Sequence, residues 1–245
     1  MAVKIALANL IGGCGKTIST MSIASILSDM GHKVLVVDCD NQGHLSNQLK
    51  ADMDEPGLYE LLMNVNTIDE CIQTVEYVDI VSSDDRIMDL NTHLNLVEGQ
   101  YILKRAIEEI EDDYDYILFD TAPRRDNIFA NVILSTDYVL IPFEVSTLSI
   151  NAVATLVEAI EEYQEENSNL QILGAFEISH FNKSKSQLEA LQKIKMRVPV
   201  LMSNILLDFD AVEFLHSGER IGYEENGRGI IGDYNKLVKE ILEIK

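Results

Sequence analysis

Ala6-Leu7-Ala8-Asn9-Leu10-Ile11-Gly12-Gly13-Cys14-Gly15-Lys16-Thr17 is an apolar run that breaks into glycines and ends on a lysine and a hydroxyl. Glycines at 12, 13 and 15 allow successive backbone N–H groups to turn toward one point at the start of a helix, where the helix dipole also favours an anion. Lys16 adds a cation there, and the Thr17 hydroxyl suits Mg²⁺. Strand, loop and helix in this order predict a phosphate-binding loop, with Gly12, Gly13, Cys14, Gly15, Lys16, Thr17 and Ile18 as the nucleotide-binding residues. The usual spacing places a glycine at position 10, where this chain has Leu10.

Beyond the loop, the pattern predicts a helix to Met30, with Ile23, Ile26, Leu27 and Met30 along one stripe and Gly31 as a left-handed cap. Leu103, Ala106, Ile107 and Ile110 form a second helical stripe. Between and after these lie β-branched runs at 3–8, 33–39, 78–82, 116–119, 138–143, 171–178 and 199–205. Their alternation with helical patterns predicts βαβ units and an α/β fold, a mostly parallel twisted sheet. Several runs lack polar alternation, as strands covered by helices on both faces require. No linker or repeat interrupts them, so residues 1–245 are expected to form one domain.

Composition narrows the function. The hydrophobic share of 47% builds a core without staples, and Cys14, Cys39 and Cys71, with no CxxC spacing, suggest neither disulfides nor a zinc or iron–sulfur site. A reducing cytoplasm is the expected location. The most apolar later window, 132–150, is interrupted by Asp137, Pro142 and Glu144, so no membrane span is expected. The net charge of −22 opposes non-specific attraction to nucleic acids and anionic lipids. Lys183, Lys185, Lys193, Lys195 and Arg197, facing only Glu189, are the candidate local contact to DNA; a solvated helix face is the alternative.

The glycine loop resembles the deviant KGGxGK[ST] form of the superfamily that contains ParA, MinD and the nitrogenase iron protein. Val36-Val37-Asp38-Cys39-Asp40-Asn41-Gln42-Gly43 is similar to its DxDPQG segment, with Asn41 in place of proline. The resemblance implies that Asp40 positions the attacking water, with Lys16 as the other catalytic residue, and that Asp38 lies near the Mg²⁺ shell. A bland alternative is that both aspartates merely end a strand and start a turn. Tyr114-Asp115-Tyr116-Ile117-Leu118-Phe119-Asp120-Thr121-Ala122-Pro123 resembles the Walker B strand and its DxxP turn, which implies that Asp120 holds Mg²⁺ through water together with Thr17. The stretches 141–144 and 205–218 follow the same family order.

Within the superfamily, the DxDxQG form and the lack of an N-terminal extension resemble the short ParA/Soj-type partition ATPases. A MinD-like membrane helix is disfavoured because Lys236, Lys239 and Lys245 in the tail are offset by Glu240 and Glu243, and the cysteines do not match the iron protein. The resemblance implies ATP/ADP and Mg²⁺ as ligands, a homodimer formed with ATP, a centromere-binding ParB-like adaptor that stimulates hydrolysis, and nucleoid association wherever DNA is bound.

The chain departs from the family pattern at named places. Ile11 stands where a signature lysine reaches the partner's phosphates, and Ile18 where a second hydroxyl residue is usual. Arg124 replaces a serine, and Arg124 or Arg125 is a candidate to restore the missing positive charge. Leu206 and Leu207 lie where an arginine for DNA binding is common. Two alternatives follow: a non-hydrolysing nucleotide-binding scaffold, or a P-loop ligase of the dethiobiotin synthetase type.

Overall fold

The computed structural model describes residues 1–90, 94, 98–179, 183–207, 211 and 220–244. Eight strands form one sheet in the order β3-β4-β2-β5-β1-β6-β7-β8. They are β1 (Val3–Leu7), β2 (Val34–Cys39), β3 (Ile72–Thr74), β4 (Asp79–Val81), β5 (Tyr116–Thr121), β6 (Tyr138–Phe143), β7 (Gln171–Ser179) and β8 (Val200–Leu206). Every pairing is parallel except that of β3 with β4. The fold is therefore the mostly parallel α/β sheet that the strand runs predict. Short β3 is the strand those runs do not contain, and 33–39 begins one residue later than expected.

Alternate residues of each central strand face separate apolar clusters. Ile5 and Leu7 of β1, Val34 and Val36 of β2, and Leu118 of β5 pack with Ile23, Ile26 and Leu27 of α1 (Lys16–Asp29). Tyr234, Leu237 and Ile241 of the C-terminal helix, Gly229–Ile244, complete that face, and the Ser19 hydroxyl lies 2.9 Å from the Tyr234 hydroxyl. Leu35, Val37, Ile117 and Phe119 point the other way, against α3 (Leu58–Leu62), α5 (Ile102–Ile110) and α6 (Asn127–Leu134). α2 (His44–Gln48) joins the α1 face through Leu45, and α4 (Ile68–Cys71) joins the α3 and α5 face through Ile68 and Cys71. Beyond β6, α7 (Thr147–Tyr163) and α8 (Lys185–Lys195) cover the sheet through Val153, Leu156, Ala190 and Ile194. Burial on both faces removes any polar side to the strands, which is why they read as unbroken apolar runs.

The stripe 103, 106, 107 and 110 is buried as expected. Met30, expected on the stripe of α1, is exposed, because the helix ends at Asp29 and Met30 caps it before Gly31 turns left-handed at φ 91°. Most of the 205–218 stretch and Lys245 lie outside the described residues.

Candidate functional site

In a parallel sheet, the strand order places loops from both sides of a reversal at the carboxyl ends of the strands, where ligands commonly bind. Here β1, β2 and β5 deliver the glycine loop, Asp38 to Gly43, and Asp120 to one edge. Register sets Asp120 beside Leu7 on one side and Asp38 on the other.

The loop is shaped by Gly13 at φ 76° and Gly15 at φ 81°, left-handed conformations that a side chain resists. Gly15 then caps α1, so the first free N–H groups of that helix open onto the loop. Asn9 anchors its base: Nδ2 donates to the Pro142 carbonyl at 2.8 Å, and Oδ1 accepts from the Ile11 N–H at 3.0 Å. The Lys16 ammonium is buried and donates to the carbonyls of Asn9 and Ile11 at 3.2 and 3.1 Å. The Cys14 sulfur is a third contact at 3.9 Å, and no carboxylate forms a salt bridge with this ammonium among the described residues.

Asp120 is fully buried and neither carboxyl oxygen has a hydrogen-bond partner among the described residues. Burial pushes its pKa up to about 8; Asp38 adds to the rise, while Thr17 and Lys16 oppose it. Thr17 does so from a position that does not complete a hydrogen bond. Asp38, also buried, is pushed up to about 6, with Ser46 and the Asp40 N–H pulling it down. Its Oδ2 accepts from the Ser46 N–H at 2.9 Å and hydroxyl at 2.7 Å, and its Oδ1 from the Asp40 N–H at 3.1 Å. Asp38 is thus largely engaged in shaping its own loop. Asp40 accepts from the Gln42 N–H and is half-buried. Burial raises the Cys39 thiol well above its ordinary value, and the charges of Asp38, Asp120, Asp40 and Asp126 add to the rise.

A buried carboxylate without partners costs several kcal/mol unless a cation or a proton compensates it. Asp120 and Thr17 therefore suit Mg²⁺, which binds one or two carboxylates and keeps its waters and phosphate oxygens as the remaining ligands. Among the described residues no group of three or more acidic, His or Cys side chains is arranged to hold a metal ion by itself.

Other expected residues fall elsewhere. Arg125 pairs with Glu162 and lies over the Tyr163 ring. Arg124 bonds Asn41 and Asp126. In the basic patch, Lys183 is taken by the buried Glu177 at 2.9 Å, a counter-charge brought in by the end of β7. Lys185, Lys193, Lys195 and Arg197 remain exposed. Asn9 and Ser46 are the site residues the sequence reading omits; an Asx turn at a strand end is the signal for Asn9, and nothing in spacing marks Ser46. A groove of about 580 Å³ bordered by Leu61, Ile68 and Ile102 lies apart from these residues. No helix among the described residues is long and apolar enough to cross a membrane.

The family described as an AAA domain matches residues 2–172. The sporulation initiation inhibitor protein Soj of Bacillus subtilis is 26% identical over 78% of this chain and 78% of its own. The maintenance of carboxysome distribution protein A of Synechococcus elongatus is 26% identical over 80% of this chain and 82% of its own. Among solved structures, apo McdA from Cyanthece superposes with a TM-score of 0.86 at 24% identity, covering 99% of this chain and 100% of that one. Cobyrinic acid a,c-diamide synthase of Mycobacterium smegmatis, with bound ADP and magnesium, gives 0.85 at 23% identity over 99% and 95%. These two likenesses establish the fold.

Proposed function

We propose, from the premise that this chain belongs to the AAA-domain family of ParA- and Soj-like P-loop partition ATPases, that it is an ATP-dependent dimerising switch that positions a cargo. The observation that carries the reading is one edge of the sheet where left-handed Gly13 and Gly15, the buried Lys16 ammonium and the partnerless Asp120 carboxyl meet. The N–H groups of Gly12 to Ile18 bind phosphate oxygens, and Lys16 exchanges its carbonyl contacts for them. Thr17 and Asp120 hold Mg²⁺, with Asp38 beside them; the ion neutralises charge that builds up in phosphoryl transfer. Asp40 orients the attacking water.

ATP closes two copies face to face, a partner protein stimulates hydrolysis, and ADP lets them part, so the γ-phosphate biases a two-state equilibrium. The resemblance makes that partner a centromere-binding ParB-like adaptor and the cargo DNA in the cytoplasm; the carboxysome relative's name supports a non-DNA cargo equally. Ile11 favours a second reading, a scaffold that binds nucleotide without turnover. If the missing cation acts as an arginine finger does, its loss costs roughly 10³ to 10⁵ in rate.

Fluorescent-nucleotide titration paired with phosphate release tests both. The switch predicts binding and release by the wild type, at least tenfold weaker binding by Lys16→Ala, and binding without release by Asp40→Ala. Tight binding with no release, even with an adaptor, selects the scaffold. No nucleotide binding by the wild type contradicts both.

A further inference from the structure

Arg124 lies in the turn between β5 and α6, next to Pro123, whose Cγ would be 3.8 Å from a Cβ built at Gly12. Its guanidinium joins two loops. Nε donates to Asp126 Oδ2 at 2.6 Å, while Asp126 Oδ1 accepts from the N–H groups of Ile128 and Phe129 at 3.1 and 3.0 Å. Asp126 is thereby fixed to the first turn of α6. Nη1 donates to Asn41 Oδ1 at 2.8 Å. Asn41 is buried and directly follows Asp40.

Among the described residues, the other hydrogen bonds of 40–43 are short-range. The Asp40 N–H reaches Asp38, the Gln42 N–H reaches the Asp40 carboxyl, and the Gly43 N–H reaches the Asp40 carbonyl. The Gly43 carbonyl accepts only from Asn47, one turn on. Such a turn fixes its own shape but not the place of its middle relative to the rest of the site. Its two ends are held by the pairing of Cys39 with Thr121 and by Ser46, which bonds Asp38 and the Ser83 N–H; the contact that spans 83 residues, Arg124 to Asn41, holds its middle.

We propose that Arg124 is a positioning residue: through Asn41 it clasps the loop that carries Asp40 to the start of α6, and so sets where Asp40 stands beside Asp120 and the glycine loop. This rests on the reading of Asp40 as the carboxylate that orients water. Positions 41 and 124 are also two places where the chain departs from the pattern it resembles. A proline at 41 would restrict its own backbone; an asparagine does not, and here a charged hydrogen bond restrains it instead. The two departures are the two ends of one contact.

Asn41→Ala removes the clasp and leaves both the Arg124 charge and its bond to Asp126 in place, so it separates tethering from charge. Amide hydrogen exchange on the nucleotide-free full chain reads the clasp without any turnover. Exchange at Gln42 and Gly43 should rise about tenfold in Asn41→Ala and in Arg124→Ala, with no further rise in the double variant. Phosphate release should fall about tenfold in kcat for each single variant, with nucleotide Kd within about threefold. Asn41→Pro placed in the Arg124→Ala background should recover much of both losses. Unchanged exchange in the single variants, or effects that multiply in the double, overturns the clasp. A kcat loss in Arg124→Ala that Asn41→Ala does not share and proline does not rescue also overturns it, and marks Arg124 as acting by charge. Absent phosphate release by the wild type, with exchange as expected, overturns the ATPase reading and leaves the clasp standing.

Discussion

Asp120 is the side chain whose burial is hardest to account for without a ligand. Its carboxyl, ordinarily near 3.8, rises to about 8 in the folded chain because burial disfavours its charge. A raised folded pKa means the native state holds a proton that the unfolded state has released, so stability falls as pH climbs from about 4 to about 8. Asp120→Asn removes that penalty. With metal chelated, the variant should therefore be more stable than the wild type above pH 8, by on the order of a few kcal/mol, and the gap should close toward pH 4. Urea unfolding at several pH values measures this; a gap independent of pH contradicts it. Asp120 was legible in the sequence because Tyr114 to Pro123 resembles the Walker B strand and its DxxP turn. Asn9 was less so: its two hydrogen bonds join the loop to Pro142 of β6, a neighbour that only the sheet order reveals. The Arg124 and Asn41 pair was hidden for the same reason, being local in space and remote in sequence.

At the scale of elements, the glycine loop and the helix it caps act as one unit. Gly15 has φ 81°, and a Cβ there would overlap Ile178 Cδ1 on β7. That methyl is the end of a flexible side chain and can move, so the lasting penalty is the backbone conformation, about 1–3 kcal/mol. Gly15→Ala should lose that much stability and weaken nucleotide binding at least tenfold, measured by thermal unfolding and titration of a fluorescent ATP analogue; unaltered binding would show that the left-handed cap is not what aims the N–H groups. The long strands were legible because two-sided burial leaves them apolar, as Leu35 and Val36 show by pointing into different clusters. β3 was not, since Ile72, Gln73 and Thr74 are too few to set a period and pair only at the antiparallel edge. Met30 was misplaced because helical periodicity runs on past the point where Gly31 stops the helix.

Across the whole molecule, charge and nucleotide state govern what it can touch. The net charge is −22, and Lys183 is neutralised by Glu177 rather than free for phosphate contacts. Binding to random duplex by the nucleotide-free protein should therefore be weaker than about 10⁻⁴ M at physiological salt, and a salt titration by fluorescence anisotropy would register tighter binding if the remaining cations sufficed. The proposed nucleotide-driven pairing must overcome the repulsion between two chains of this charge, so ATP has to supply contacts at the shared face that ADP lacks. Sedimentation velocity of Asp40→Ala, which under the proposed role of Asp40 holds ATP without consuming it, tests this most directly. With Mg²⁺ and ADP the account predicts a single species at the chain mass of 27.5 kDa, and with Mg²⁺ and ATP a shift to twice that mass, lost when Lys16→Ala is added. The same mass with both nucleotides, at concentrations where each is bound, would contradict it.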